Sequence, residues 1–231
     1  MRPNAADILG LAGRSAVFSV SNKPASDGTS SVTWLELLAN GLTFDLERLA
    51  PSEPRAIPGF MHLYDLPAAF DASGCEAITL EPGPHLEGGE NLLPVIRSQV
   101  AVAVELATLP GIAAIGWEPA RSLNSPEHFS RSVTRWLEGG VFPGLGLTAL
   151  AETQEGGFRS EGLAFFIGQE LAIAPEISQD KASAAKLALR LFHQLVETGA
   201  VTEPQAVIGP EGEDLMLEPA EDGKTVRIRG A

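Results

Sequence analysis

Cysteine is nearly missing from this chain, and its scarcity removes whole classes of chemistry. One thiol, Cys75, in 231 residues has no intramolecular partner, so no disulfide framework holds the fold. The four histidines, His62, His85, His128 and His193, are scattered with no spacing that suits a metal. A reactive thiol needs a base or a positive charge beside it, and Cys75 follows Gly74 with no histidine at motif distance. No cofactor is expected. Long apolar runs are absent as well. Purely apolar stretches such as Val100 to Val104 fall far short of the roughly 20 residues of a membrane span. Asp7 interrupts the start of the chain, so no signal peptide is expected and a cytoplasmic location is. Basic residues are scarce: 16 against 30 acidic ones, a net charge of −14. That field repels phosphate backbones and anionic headgroups, so nucleic acid and membranes are not expected as partners. A basic protein partner or self-association, such as a dimer, is compatible with it. Many of the acids crowd late, at Glu211, Glu213, Asp214, Glu218, Glu221 and Asp222.

What is present reads as an ordinary folded chain, 44% hydrophobic and 20% charged. Residues 1–70 mix short β-like runs with proline-rich connections. Arg14 to Ser21 alternates weakly, Lys23 to Ser31 is turn-like, and Val32–Leu38 and Leu42–Leu46 flank Asn40-Gly41, a dipeptide suited to a tight hairpin. Trp34 to Leu38 could equally form a helical turn. Residues 71–200 form the expected core. Ala77–Leu80 reads as a strand, Asn91–Leu109 as a helix stopped by Pro110-Gly111, and Ile112–Trp117 as a strand, which together predict a βαβ unit with parallel strands. The next helix is punctuated by Ser125 as its cap, Pro126 in its first turn and Gly139-Gly140 at its end, with Phe129, Val133, Trp136 and Leu137 on one stripe.

Leu145–Thr153 and Phe158–Ile167 predict an antiparallel hairpin around Glu155-Gly156-Gly157, before a break at Gly168 and a further run, Leu171–Ala174. Lys181–Thr198 predicts the last helix, with Ala182, Ala185, Leu189, Phe192 and Val196 inward and Lys186, Arg190, His193 and Glu197 outward. Residues 201–231 predict an acidic hairpin, Leu215–Leu217 with Thr225–Ile228. The order argues an α+β sandwich: a mixed sheet containing the βαβ unit and the later hairpin, with helices packed on it. The helix over Asn91–Leu109 is apolar nearly all round, its polar stripe confined to Arg97, Glu105 and Thr108. It must therefore be buried on more than one side, either by residues 1–70 or by a second copy of the chain.

Three stretches invite a functional reading. Trp117, Glu118 and Arg121 end a predicted parallel strand, where ligands gather in open α/β sheets. With Arg159 and Glu161 they could line a small-molecule site. The loop with His85, Glu87 and Glu90 could hold a metal or an acid–base pair, although acids near a helix start also serve the dipole. Gly144-Leu145-Gly146, after Phe142-Pro143, precedes a strand, whereas a phosphate loop follows one. Of the other histidines, His128 and His193 are expected at the surface and His62 to pack beside Tyr64.

The segments Trp117-Glu118-Pro119-Ala120-Arg121, Ser125-Pro126-Glu127, Ser160-Glu161-Gly162-Leu163 and Gly168-Gln169-Glu170-Leu171 resemble a group of uncharacterised bacterial proteins classed as a domain of unknown function. The resemblance spans about residues 112–199. It implies a small α+β domain without an assigned reaction, some of whose members are immunity-like, and it supplies no catalytic residues. The leading expectation is a non-enzymatic binding protein. The alternative is a small-molecule enzyme with its polar cleft near Trp117, Glu118, Arg121, Arg159 and Glu161.

Overall fold

A computed structural model describes residues 2–22, 32–177, 180–209 and 211–230. The turn expected over Lys23 to Ser31 lies outside them. The chain runs α1 (Ala5–Ala12), β1 (Ser19–Asn22), β2 (Leu35–Ala39), β3 (Leu42–Glu47), β4 (His62–Tyr64), β5 (Thr79–Pro82), α2 (Leu93–Leu106), β6 (Ile115–Trp117) and β7 (Ser122–Asn124). Then follow α3 (Pro126–Leu137), the short turn α4 (Gly144–Leu147), β8 (Ala149–Glu152), β9 (Phe158–Glu161), α5 (Leu163–Ile167) and β10 (Glu170–Ile173). The chain closes with α6 (Lys181–Thr198), β11 (Gln205–Ile208), β12 (Asp214–Pro219) and β13 (Thr225–Gly230). This is an α+β fold with antiparallel and mixed sheets and helices alongside.

Two compact units divide it, and both are discontinuous. One holds Met1–Gly59, Asp65–Ile115 and Asn124–Gly139; the other holds Phe60–Tyr64, Gly116–Leu123 and Gly140–Ala231. The division therefore does not follow sequence positions 70 and 200.

In the first unit, β1-β2-β3-β5 form an antiparallel sheet. Asn40 and Gly41 both adopt positive φ, 52° and 78°, as the tight turn between β2 and β3 requires. Alternation does the rest. Leu35, Leu37, Phe44 and Leu46 point to a buried face, where they meet Ile8 and Leu11 of α1 and Val95, Val102 and Leu106 of α2. On α2's other flank lies α3, whose Trp136 ring sits 4.8 Å beneath the Arg97 guanidinium. Arg97 also donates to the Leu137 carbonyl at 2.9 Å. Val102 and Leu106 are buried, so residues before 70 cover α2 and no second copy is needed to do it. Ser125 caps α3, as the sequence predicts, by accepting from the His128 N–H at 3.0 Å; of the predicted stripe Phe129, Val133 and Trp136 are buried and Leu137 is half-buried.

The expected βαβ unit is not formed. β5 pairs antiparallel with β3, and β6 belongs to a separate three-stranded sheet, β4-β7-β6. The order strand–helix–strand sets only sequence adjacency. The β2–β3 hairpin offered β5 an open edge, and β5 took it. A parallel pair is found elsewhere: β10 lies parallel to β13 in the second unit's mixed sheet, β11-β12-β13-β10-β9-β8.

Both expected hairpins, β8–β9 and β12–β13, are present. The run Phe158–Ile167, however, stops being a strand at Gly162, which adopts φ 91°. A Cβ there would lie 2.8 Å from Ala120, so glycine alone fits and the chain turns into α5. Helix α6 has the predicted bounds but a rotated face. It buries Ala184, Leu187, Ala188, Leu191, Phe192, Leu195 and Val196, while Ala182 is exposed and Ala185 and Leu189 are only half-buried. Two apolar rows run along this helix, and the bulkier leucine row went to the core.

Candidate functional site

The second unit assembles a polar cluster from three separate segments. Arg121 ends a 3₁₀ turn, Glu118–Ala120, in a left-handed conformation with φ 48°. Its carbonyl accepts from both the Met61 and His62 N–H groups, at 2.8 and 3.1 Å, which fixes the start of β4. His62 then reaches Glu161 on β9: its Nε2–H donates to Oε2 at 2.7 Å. Arg121 Nη1 donates to the other carboxylate oxygen at 3.3 Å. The Glu161 side chain is 30% exposed and that of His62 18%, so the pair is partly shielded from water. A neutral imidazole bonded through Nε2–H keeps Nδ1 as an acceptor. Two residues along the same strand face, the Tyr64 phenol is pushed up to about 12, first by burial and then by the negative charge of Glu161.

Of the five residues singled out in the sequence, Arg121 and Glu161 are therefore joined. Arg159 shares a strand face with Glu161, two positions away, and is exposed. Glu118 is also exposed. Trp117 is not a cleft wall. It is buried, edge-on to Phe165 at 5.6 Å and stacked on Phe166 at 6.3 Å. His62, on the same strand face as Tyr64, is also a bonded partner of Glu161. His128 and His193 are half-buried, not open. His193 Nδ1 accepts from the Phe142 N–H at 3.3 Å.

Several residues of the quoted motifs serve the backbone. Glu170 accepts from the Ser160 hydroxyl and from the Gly162 and Ala164 N–H groups at 3.0 and 3.2 Å, closing the start of α5. Buried Gln169 donates to the Val201 and Gly223 carbonyls, at 3.0 and 3.2 Å, and accepts from the Val201 N–H at 2.8 Å. These side chains are spent on structure.

The loop with His85, Glu87 and Glu90 does not converge on one point. His85 Nε2 is hydrogen-bonded to Thr43 Oγ1 at 2.6 Å. Glu90 accepts from the Gly88 N–H at 3.0 Å, and such backbone bonds hold its carboxyl below the usual range. Glu87 faces solvent. Among the described residues no three histidine, cysteine, aspartate or glutamate side chains are grouped to hold a metal ion. Cys75 is half-buried, its Sγ 4.0 Å from the Asp71 carbonyl.

The first unit carries a feature the sequence did not reveal. Register places Glu36 opposite Asp45 and Asp45 opposite Glu81, so three carboxylates lie side by side across β2, β3 and β5. Directly opposed side chains share a face with Cβ atoms roughly 5 Å apart, and like charges there are destabilising. Asp45's carboxyl is raised from its ordinary value by burial, then by Glu36 and Glu47, with His85 pulling the other way. Its neighbours have partial relief. Ser21 donates to Glu36 Oε1 at 2.6 Å, and Arg55 pairs with Glu81 at 3.3 Å.

No protein-family model matches this chain, and no curated protein and no solved structure matches it.

Proposed function

We propose that this protein acts by binding, with a basic protein surface as its partner. The observation that carries the reading is the Glu36–Asp45–Glu81 ladder. Three carboxylates are held side by side at a thermodynamic disadvantage, and a lysine- or arginine-rich surface laid over them would relieve it. The net charge of −14 adds long-range attraction for such a partner. The resemblance to partly immunity-like bacterial proteins is compatible with this role. The test is titration calorimetry of a lysine-rich peptide into the full chain at low and moderate salt. The triple variant Glu36→Gln/Asp45→Asn/Glu81→Gln serves as comparison. Binding should weaken about tenfold or more in the variant, equivalent to about 1.4 kcal/mol. Unchanged affinity would reject the reading. So would loss of binding only when Glu211, Glu213 and Asp214 are neutralised.

A second reading, a small-molecule site in the other unit, is favoured by the His62–Glu161 pair beside Tyr64. A carboxylate-oriented imidazole is a suitable proton acceptor. Here the measurement is the His62 ring resonances during titration with pooled metabolites. Signals that move in wild type and not in Glu161→Gln support the reading, and immobile signals end it.

A further inference from the structure

Arg2 is buried, 8% exposed, yet its guanidinium is secured at one corner only. Nη2 donates to the Ser52 carbonyl, while Nε and Nη1 are sealed from solvent with no acceptor. The backbone around it is well tied. The Ala50 N–H donates to the Pro3 carbonyl at 2.9 Å, and the Ser52 N–H donates to the Leu49 carbonyl at 3.0 Å. The Ser52 hydroxyl is spent on the same carbonyl at 2.7 Å. At the start of α1, the Asn4 side chain already accepts from the Ala6 and Asp7 N–H groups. Among the described residues, neither Nε nor Nη1 has a hydrogen-bond acceptor.

A guanidinium stays charged at every physiological pH. Burying an uncompensated cation costs far more than one hydrogen bond returns. The acid surplus of the chain is not spent here, because among the described residues no carboxylate accepts a hydrogen bond from Arg2. We propose that Arg2 is an anion site, its Nε and Nη1 holding a small oxyanion whose carboxylate or phosphate oxygens accept both N–H groups. Guanidinium donors match such oxygens in geometry and charge. Water could satisfy the hydrogen bonds but not the charge. With Arg2 so deeply buried, the anion enters through local opening around residues 2–4 and 49–53. This site is independent of the carboxylate ladder and of the His62–Glu161 pair.

The test is thermal unfolding of the full chain at constant ionic strength, with sodium phosphate or sodium acetate replacing sodium chloride. Wild type should show a saturable rise in midpoint, about 5–10 °C at a hundredfold excess over Kd. Arg2→Met should lose the rise and Arg2→Lys should keep part of it. A response to phosphate alone assigns a tetrahedral oxyanion; a response to acetate as well assigns the broader carboxylate class. Should Arg2→Met fail to fold, the Arg2 Nε–H resonance of the wild type should shift saturably with the same probes. Midpoints and resonance that respond no more to phosphate or acetate than to chloride would overturn the proposal. So would an anion effect that persists in Arg2→Met, or a Glu53→Gln variant that gains an anion response wild type lacks, since exposed Glu53 would then be the counter-ion.

Discussion

Asp45 sits at the centre of the carboxylate ladder, opposite Glu36 on one side and Glu81 on the other, and among the described residues its carboxylate has no hydrogen-bond partner to lose. Asp45→Asn removes the like charge opposed to Glu36 and Glu81 and next but one to Glu47, while preserving shape. Each directly opposed pair is unfavourable by about 0.2–1 kcal/mol. Asp45 is half-exposed, so solvent screening places the sum near the lower end, about 0.5 kcal/mol. For a chain of this length that corresponds to a rise of about 1–2 °C in unfolding midpoint. The pH dependence gives the sharper check. Burial, Glu36 and Glu47 raise the Asp45 carboxyl above 3.8, so the fold favours its protonated form. Wild type therefore loses stability as pH climbs through the range just above 3.8, whereas Asn does not titrate. Calorimetry should show the variant's advantage fully at pH 7 and none at pH 3. An equal advantage at both values, or destabilisation at pH 7, would refute the reasoning. Glu36→Gln and Glu81→Gln should gain less, because the first gives up charge assistance from the Ser21 bond and the second loses the Arg55 pair.

Tyr64 is the only tyrosine in the chain, so ultraviolet titration reads it directly. The folded protein should ionise near 12 and the unfolded protein near 10.0, with Glu161→Gln lowering the folded value. Because the phenol is raised on folding, stability should fall as pH rises from about 10 towards 12. Ser125→Ala removes the cap of α3 and the 3.0 Å bond to Asp65, and should cost about 1–2 kcal/mol in urea unfolding. Trp117→Ala should cost about 3–5 kcal/mol. Trp117→Phe should cost much less, since the indole N–H it removes is buried without an acceptor.

Features governed by neighbouring residues were legible in the sequence. Ser125-Pro126 and Gly139 bracket α3, Asn40-Gly41 turns β2 into β3, and α6 begins and ends where Lys181 and Thr198 stand. A cap, a proline ring or a positive φ acts over three or four residues and needs nothing distant. Arg121 and Glu161 stood together only within the five-residue set named from the sequence, Arg121 beyond the end of one predicted strand and Glu161 within another, and 40 residues separate them.

Their partner could not be named at all, because His62 lies 99 residues from Glu161 in sequence. Tertiary structure alone decided that contact, the pairing of β5 with β3 and not β6, the apolar row that α6 buries, and the alignment of Glu36, Asp45 and Glu81. The α6 face and the His62–Glu161 contact depend on packing between elements far apart in the chain; the β5–β3 pairing and the carboxylate alignment share a reason particular to strands. A strand edge accepts any strand whose N–H and C=O groups fit it, whatever the distance along the chain. Only the register then chosen determines which side chains stand face to face.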